Sequence, residues 1–328
     1  MASEDLPEGD AAFRRTELKG SAIEPTYAGA RSFLRRKYTR NLDRVDIAVT
    51  GIPFDQAVSN RPGTRFGPEA IRKASADHAW GPLWPWMFDP CETLSIVDYG
   101  DCYFDWGRKE DIPAAIQAHV AEILSGGAST LCLGGDHFVT YPILKAHAEA
   151  QGGPLSLIQF DAHRDVEPEE GGRIDHGTMF NLAIQDGVID PESSIQIGIR
   201  TTFTGEHTYG MKIIYADQAH EMSASEIAAE IEAVVGARPA YLTFDIDCLD
   251  PAYAPGTGTP VVGGLSTHQA LSILRKLTAI NFSGMDVVEV SPPYDHSEIT
   301  ALAAASVAVE YLCLRAWQAG ARRTVVPP

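Results

Sequence analysis

Cysteine is scarce and scattered along this chain: Cys91, Cys102, Cys132, Cys248 and Cys313 contain no C-x-x-C pair. That spacing excludes a thiolate metal knuckle, argues against a disulfide framework and predicts reduced thiols in a cytoplasmic protein. Cys248 is read as a small packing residue. Long apolar runs are missing too, none approaching the roughly 20 residues of a bilayer span. The first ten residues hold Glu4, Asp5, Glu8 and Asp10 where a secretion signal would need an apolar segment. Basic residues are in deficit, 26 Lys and Arg against 44 Asp and Glu, for a net charge of −18. Such a surface repels nucleic-acid phosphates and suits a small cationic substrate. No G-x-x-x-x-G-K-S/T motif occurs, and GTGTP at 256–260 lacks the strand and helix of a nucleotide cradle. Internal repeats are absent, and only the alanine-rich last helix is of low complexity.

What is present is an ordinary globular composition, 45% hydrophobic and 21% charged, enough for a sizeable core. Residues 1–40 lack sustained periodicity and are read as an N-terminal arm, with the basic cluster Arg35, Arg36, Lys37 and Arg40 as solvated surface. Residues 41–328 are read as one catalytic domain. Strand-like runs fall near 44–51, 93–100, 129–135, 154–161, 194–200, 211–216, 240–247 and 284–290. Segments of helical spacing, such as IPAAIQAHVAEILSGG and SASEIAAEIEAVVG, lie between many of them. The runs are apolar on both faces, which predicts an α/β three-layer sandwich with a parallel sheet of about eight strands. His147, in a charged helical stretch, is expected to be exposed.

Six potential metal ligands sit where apolar runs end: His137 in LCLGGDH, Asp161, His163 and Asp165 in IQFDAHRDV, and Asp245 and Asp247 in LTFDIDCLD. An extended backbone points alternate side chains the same way, so DAHRD and DID are expected to converge. Ligands of a parallel sheet gather outside the carboxyl ends of its strands, where these segments lie. Carboxylates and imidazoles without thiolates suit Mn²⁺ and related ions, and four carboxylates neutralise two dications. Asp136 and Glu289, beside ligand segments, are candidates for orienting histidines or ligands.

GGDHFVT, FDAHRDV, HGTMF, LTFDIDCLDPAYAPGTGTPVVGGLS and GMDVVEVSPPYDHSEITALAAA together resemble the ureohydrolases of the arginase/agmatinase family, most closely the agmatinases, over residues of about 40 to 318. The resemblance implies an arginase-like parallel eight-stranded sheet, a binuclear Mn²⁺ centre and assembly into homotrimers or homohexamers, with hetero-oligomeric relatives known. It places His137, Asp161, His163, Asp165, Asp245 and Asp247 as metal ligands, with Asp161 and Asp245 bridging. His176 in DHGTMF matches the proton-shuttling histidine, and Glu298 in HSEIT matches the glutamate that holds the guanidinium. SEIT also reads as a helix N-terminus, where an acid meets the macrodipole. The implied reaction is hydrolysis of agmatine to putrescine and urea.

The chemistry fits. A guanidinium is planar and resonance-stabilised, and general acid–base catalysis alone, worth about 10²- to 10⁴-fold, is too little for it. A metal-activated water is needed, and the leaving amine must be protonated, a task suited to a histidine. Arg164 departs from the small or uncharged residue of most relatives, and the loop after it, VEPEEGGRID, is acidic through Glu167, Glu169 and Glu170. In the family that loop faces the far end of the substrate, so Glu167 would favour an ammonium. Arg164 facing the pocket would instead favour 4-guanidinobutanoate. A biguanide hydrolase using Ni²⁺, a mononuclear zinc deacylase and a silent partner subunit are the competing readings. The deacylase would not need His137 and Asp165, and the silent subunit would not need intact ligands, His176 and Glu298.

Overall fold

Each apolar run becomes a strand because it is short, rich in aliphatic and β-branched residues, and closed by Gly, Asp or a turn. In the computed structural model, which describes residues 18–19, 26–168, 173–202 and 209–322, the eight expected strands are β2 Ile47–Gly51, β3 Ile96–Asp101, β4 Ser129–Leu133, β5 Ser156–Phe160, β6 Ile195–Ile199, β7 Lys212–Tyr215, β8 Ala240–Asp245 and β9 Phe282–Val288. A ninth, β1 Lys37–Tyr38, pairs with β3 at one edge. All pairings are parallel, in the order β1-β3-β2-β4-β9-β8-β5-β6-β7.

The helices among the described residues are α1 Gly67–Ser75, α2 Pro90–Thr93, α3 Ile112–Ser125, α4 Thr140–Gln151, α5 Met179–Gln185, α6 Ala216–Glu221, α7 Ala224–Val235, α8 Thr267–Leu274 and α9 Ile299–Gln318. Period-two alternation sends neighbouring strand residues into two cores. Ile158, Phe160, Leu242 and Phe244 pack with α1, α7, α8 and α9, whereas Leu157 and Tyr241 pack with α3, α4 and α5. The result is the helix–sheet–helix sandwich expected of strands without a polar face. Ser223 and Ser266 start α7 and α8 through capping boxes with Glu226 and Gln269.

Three expectations are corrected by burial. Arg35 and Arg36 are not solvated: they are 5% and 1% exposed. Carbonyl oxygens replace their water, with Arg35 donating to Ala30 O and Thr26 O and Arg36 to Leu18 O. Phe33 and Leu34 are buried beside them, so the body begins before residue 40. His147 is buried rather than exposed, because the charged spacing of α4 turns it onto the sheet, where Nε2 meets Thr130 Oγ1 at 2.8 Å and its ring meets Tyr241 edge-on. Finally, α9 is long and apolar enough by length and composition to cross a bilayer, contrary to the sequence reading, yet 78% of its apolar window is buried inside the fold. It is a core helix, with Glu310 neutralised by Arg275.

The sheet edge is tied by a buried ion pair. Asp98 on β3 accepts Arg72 Nε at 2.8 Å and Nη2 at 3.0 Å, and also the Phe33 and Gly100 N–H groups. Removing one member leaves an uncompensated charge, so Asp98→Ala is expected to destabilise the fold by about 3–5 kcal/mol. Asp43→Ala, which breaks an exposed pair with Arg44, is expected to change stability by less than about 1 kcal/mol. Urea-unfolding midpoints of the two variants check this.

Candidate metal centre

Three strands, β4, β8 and β5, deliver the candidate ligands at their carboxyl ends, with β9 lying between β4 and β8. His137 follows β4 across Gly134 and Gly135, and glycine is required at 135 because a Cβ there would sit 1.7 Å from the Phe54 carbonyl oxygen. Asp245 ends β8, and Asp161 directly follows β5. The convergence is not the simple extended alternation expected from DAHRD and DID. Asp247 lies in a 3₁₀ turn, Ile246–Cys248, and Asp165 adopts a left-handed backbone with φ of 55°. Local turns therefore aim these side chains, stabilised by the Asp245 carboxylate accepting the Asp247 N–H at 2.8 Å and the Asp161 carboxylate accepting the His163 N–H at 2.6 Å.

All six expected ligands come together. His137 Nδ1 lies 3.0 Å from Asp161 Oδ2, 3.0 Å from Asp165 Oδ2 and 3.2 Å from Asp245 Oδ2. His163 Nδ1 lies 3.1 Å from Asp247 Oδ2 and 3.4 Å from Asp161 Oδ1. The two oxygens of Asp161 thus serve two three-residue donor groups, His137–Asp161–Asp245 and Asp161–His163–Asp247. His137 Nδ1 is buried without a geometrically sound hydrogen bond. Four clustered carboxylates need compensating charge. Burial and the Asp161 charge push Asp165 up to about 7, and burial with Asp247 and Asp161 raises Asp245 well above the carboxylate range. Burial opposes the His137 imidazolium, yet its three aspartates hold its pKa well above the ordinary value. A donor set that must otherwise collect protons, around an orphaned imidazole nitrogen, fits divalent cations.

A cavity of about 340 Å³ opens onto this cluster, and His163, Arg164, Asp165, Glu167, His176, Asp245, Asp175 and Ser59 are among its lining residues. His176 Nδ1 is 3.0 Å from Glu289 Oε1, and its Nε2 is 2.7 Å from Ser59 Oγ and accepts the Ser59 N–H at 3.0 Å. Burial works against charging His176, but the hydrogen bond and charge of Glu289, with Asp165 and Asp136, push it up to about 9. Arg164 and Glu167 line the cavity as expected of the loop, whereas Glu169 and Glu170 lie outside the described residues.

Glu298 is not brought to the site. Its side chain is 58% exposed and pairs with Lys73, because it sits at the N-terminus of α9 as the helix-start reading has it. The carboxylate found in its stead is Glu289, one residue beyond β9. It is 1% exposed, adopts a left-handed backbone with φ of 62°, and binds the His137 N–H and His176 through Oε1 while Oε2 is buried without a hydrogen-bond partner. Strain of about 1–3 kcal/mol and an unpaired carboxylate oxygen are features of functional positions. The signal available in the sequence was its place at a strand end, the same that marks Asp161 and Asp245. Asp136 instead caps the next turn and accepts the Ala57 and Phe138 N–H groups.

A parallel sheet whose central strands end in a buried His/Asp double donor group is the frame of a metal-dependent hydrolase. The chain belongs to the arginase family, whose family model matches residues 45–313. It is 52% identical over 313 residues to a protein of Chromobacterium violaceum named agmatinase, covering 95% of this chain and 97% of that one. A crystal structure described as a hypothetical agmatinase from Burkholderia thailandensis superposes with a TM-score of 0.92 at 53% identity, covering 95% and 98% of the two chains. Proclavaminate amidino hydrolase from Streptomyces clavuligerus superposes with a TM-score of 0.85 at 37% identity, covering 90% and 100%.

The clustered charges set a pH dependence whose sign reverses on metal loading. His176, at about 9 in the fold against an ordinary 6.5, contributes stability fully below 6.5 that is lost as pH rises through 9. Asp165, at about 7 against 3.8, loses its contribution in the same direction at lower pH. The chelator-treated protein is therefore expected to melt at falling temperature between about pH 6.5 and 9, whereas the Mn²⁺-loaded protein is expected to gain, because ligands must shed protons to bind. Thermal melts across that window with EDTA and with Mn²⁺ check it, and parallel trends would refute it.

Proposed function

We propose that the protein is a binuclear metal-dependent hydrolase that cleaves agmatine to putrescine and urea. The observation carrying this reading is the unpaired, buried Glu289 Oε2 beside a double His/Asp donor group. His137, Asp161, Asp165 and Asp245 would hold one ion, and Asp161, His163 and Asp247 the other. Two divalent cations there, Mn²⁺ by preference with Ni²⁺ compatible with the same donors, would supply the activated water nucleophile by lowering its pKa from about 15.7 toward 7.

The protein's own groups do the rest. Glu289 Oε2 accepts N–H groups of the guanidinium and fixes the trigonal carbon over the donor cluster. This role passes to Glu289, which touches His137 and His176, from Glu298, which pairs with Lys73 at the surface. His176 keeps one proton on Nδ1 toward Glu289, and Nε2 takes up and gives up the other, with Ser59 Oγ at 2.7 Å as its neighbour on the cavity wall. The ring thereby supplies the proton that the leaving amine requires. At the far end Glu167 and Asp175 offer carboxylates to an ammonium. Arg164 on the same wall favours a second reading, in which a carboxylate-bearing guanidine such as 4-guanidinobutanoate is the better substrate.

The complete donor set supports a self-sufficient enzyme over a silent partner subunit. Buried free thiols support a cytoplasmic setting, and the exposed Trp84, Trp106 and Tyr103 support a contact surface between subunits, for which the resemblance implies a homotrimer or homohexamer. Urea release from agmatine, 4-guanidinobutanoate, arginine and a biguanide, each with Mn²⁺ and with Ni²⁺, tests the reading. Agmatine with Mn²⁺ is expected to give the highest kcat/KM, a preference for 4-guanidinobutanoate would transfer the substrate to Arg164, and no urea from any would refute the hydrolase. Glu289→Gln is expected to lower kcat/KM for agmatine about 10²-fold, the value of a charge-assisted hydrogen-bond pair, while Glu298→Gln stays within about twofold.

A further inference from the structure

Beneath the donor cluster lies a buried polar network that the reaction itself does not use. Asp286 sits mid-strand on β9, in register with Thr243 on β8 and Cys132 on β4, and is 0% exposed. Its Oδ1 accepts the Thr243 hydroxyl at 2.6 Å, and its Oδ2 accepts the Thr140 hydroxyl at 2.9 Å and the Tyr241 hydroxyl at 3.1 Å. Thr243 Oγ1 is also 2.8 Å from His137 Nε2. A carboxylate in the middle of an apolar sheet is costly unless its lone pairs are filled, and these three hydroxyls fill them from three directions.

The geometry points to Asp286 and Thr243 as positioning residues that set the tautomer of His137 and present its Nδ1 as the metal ligand. A threonine hydroxyl has one proton, and at Thr243 it is given to Asp286 Oδ1. Toward His137, Thr243 Oγ1 can then only accept, so Nε2 keeps its ring proton and Nδ1, turned to Asp161, Asp165 and Asp245, is the nitrogen left to give up its proton to a cation. The reverse tautomer would leave Nε2 and Thr243 Oγ1 as two facing acceptors in a dry site. His163 has a different setting, one-quarter exposed and with no contact to this network among the described residues, so the device serves one of the two metal positions.

The inference rests on the binuclear reading, and metal binding separates the two. Mn²⁺ binding, followed by the loss of free-ion electron paramagnetic resonance signal, is expected to show two tight sites in the wild type. Thr243→Val, which keeps shape and removes the hydroxyl, is expected to weaken one site about 10- to 100-fold and spare the other, and Thr243→Ser to restore it. Two tight sites in Thr243→Val overturn the positioning role alone, whereas no tight site in the wild type overturns the metal reading. Should Thr243→Val fail to fold, the Zn²⁺-loaded wild type decides through long-range ¹H–¹⁵N spectra. The imidazole signal lost in His137→Asn is expected to be protonated at Nε2 and ligated at Nδ1, and ligation at Nε2 overturns the proposal.

Discussion

Four carboxylates held within one buried pocket are the constraint on which the rest of this structure depends. Like charges at such distances repel strongly in a medium of low dielectric, and the fold must either neutralise them or protonate them. The surrounding backbone is organised for the first option. Amide groups of Ala162, His163 and Asp247 donate to the Asp247, Asp161 and Asp245 carboxylates respectively, which stiffens each ligand without cancelling its charge. Divalent cations held by these donors would complete the balance in place of protons.

Much of this was legible in the sequence, because it rests on short-range pattern. Aliphatic runs without a polar face announce a covered parallel sheet, and an Asp or His directly after such a run is placed at a strand end by connectivity alone. That is why all six donors converge even though the supposed extended alternation does not hold at Asp165 and Asp247. The edge strand Lys37–Tyr38 was not legible, since two residues of pairing leave no periodicity to read. Nor was the burial of Arg35 and Arg36, which depends on carbonyls at Leu18, Thr26 and Ala30 coming within reach.

The outward placement of Glu298, with Glu289 buried beside the donors, is the more instructive difference. Both follow short motifs in one segment, and both adopt a left-handed backbone. What separates them is the chain between: from Glu289 the backbone turns through Ser291 and the Pro292–Tyr294 turn before α9 begins, carrying Glu298 to the surface beside Lys73. Sequence distance of nine residues gives no measure of that excursion. Strand-end position did, and it favoured Glu289 on the same ground as Asp161.

The donor loops also need support from the side away from the cavity, and Arg200 supplies it. Its guanidinium donates to the carbonyls of Gly198, Asp247, Cys248, Leu249 and Val261. Carbonyl dipoles hold the cation behind the Asp247 turn, and the Asp250 carboxylate lies within its field. It therefore performs two tasks with one group. It locks the turn that aims Asp247, and against burial it joins the N–H groups of Ala252, Gly263 and Gly264 in holding the Asp250 carboxyl below its ordinary value. A lysine there could offer three donors from one point and could not span carbonyls on both sides of the turn, which makes the planar five-donor fork the form of charge this position requires.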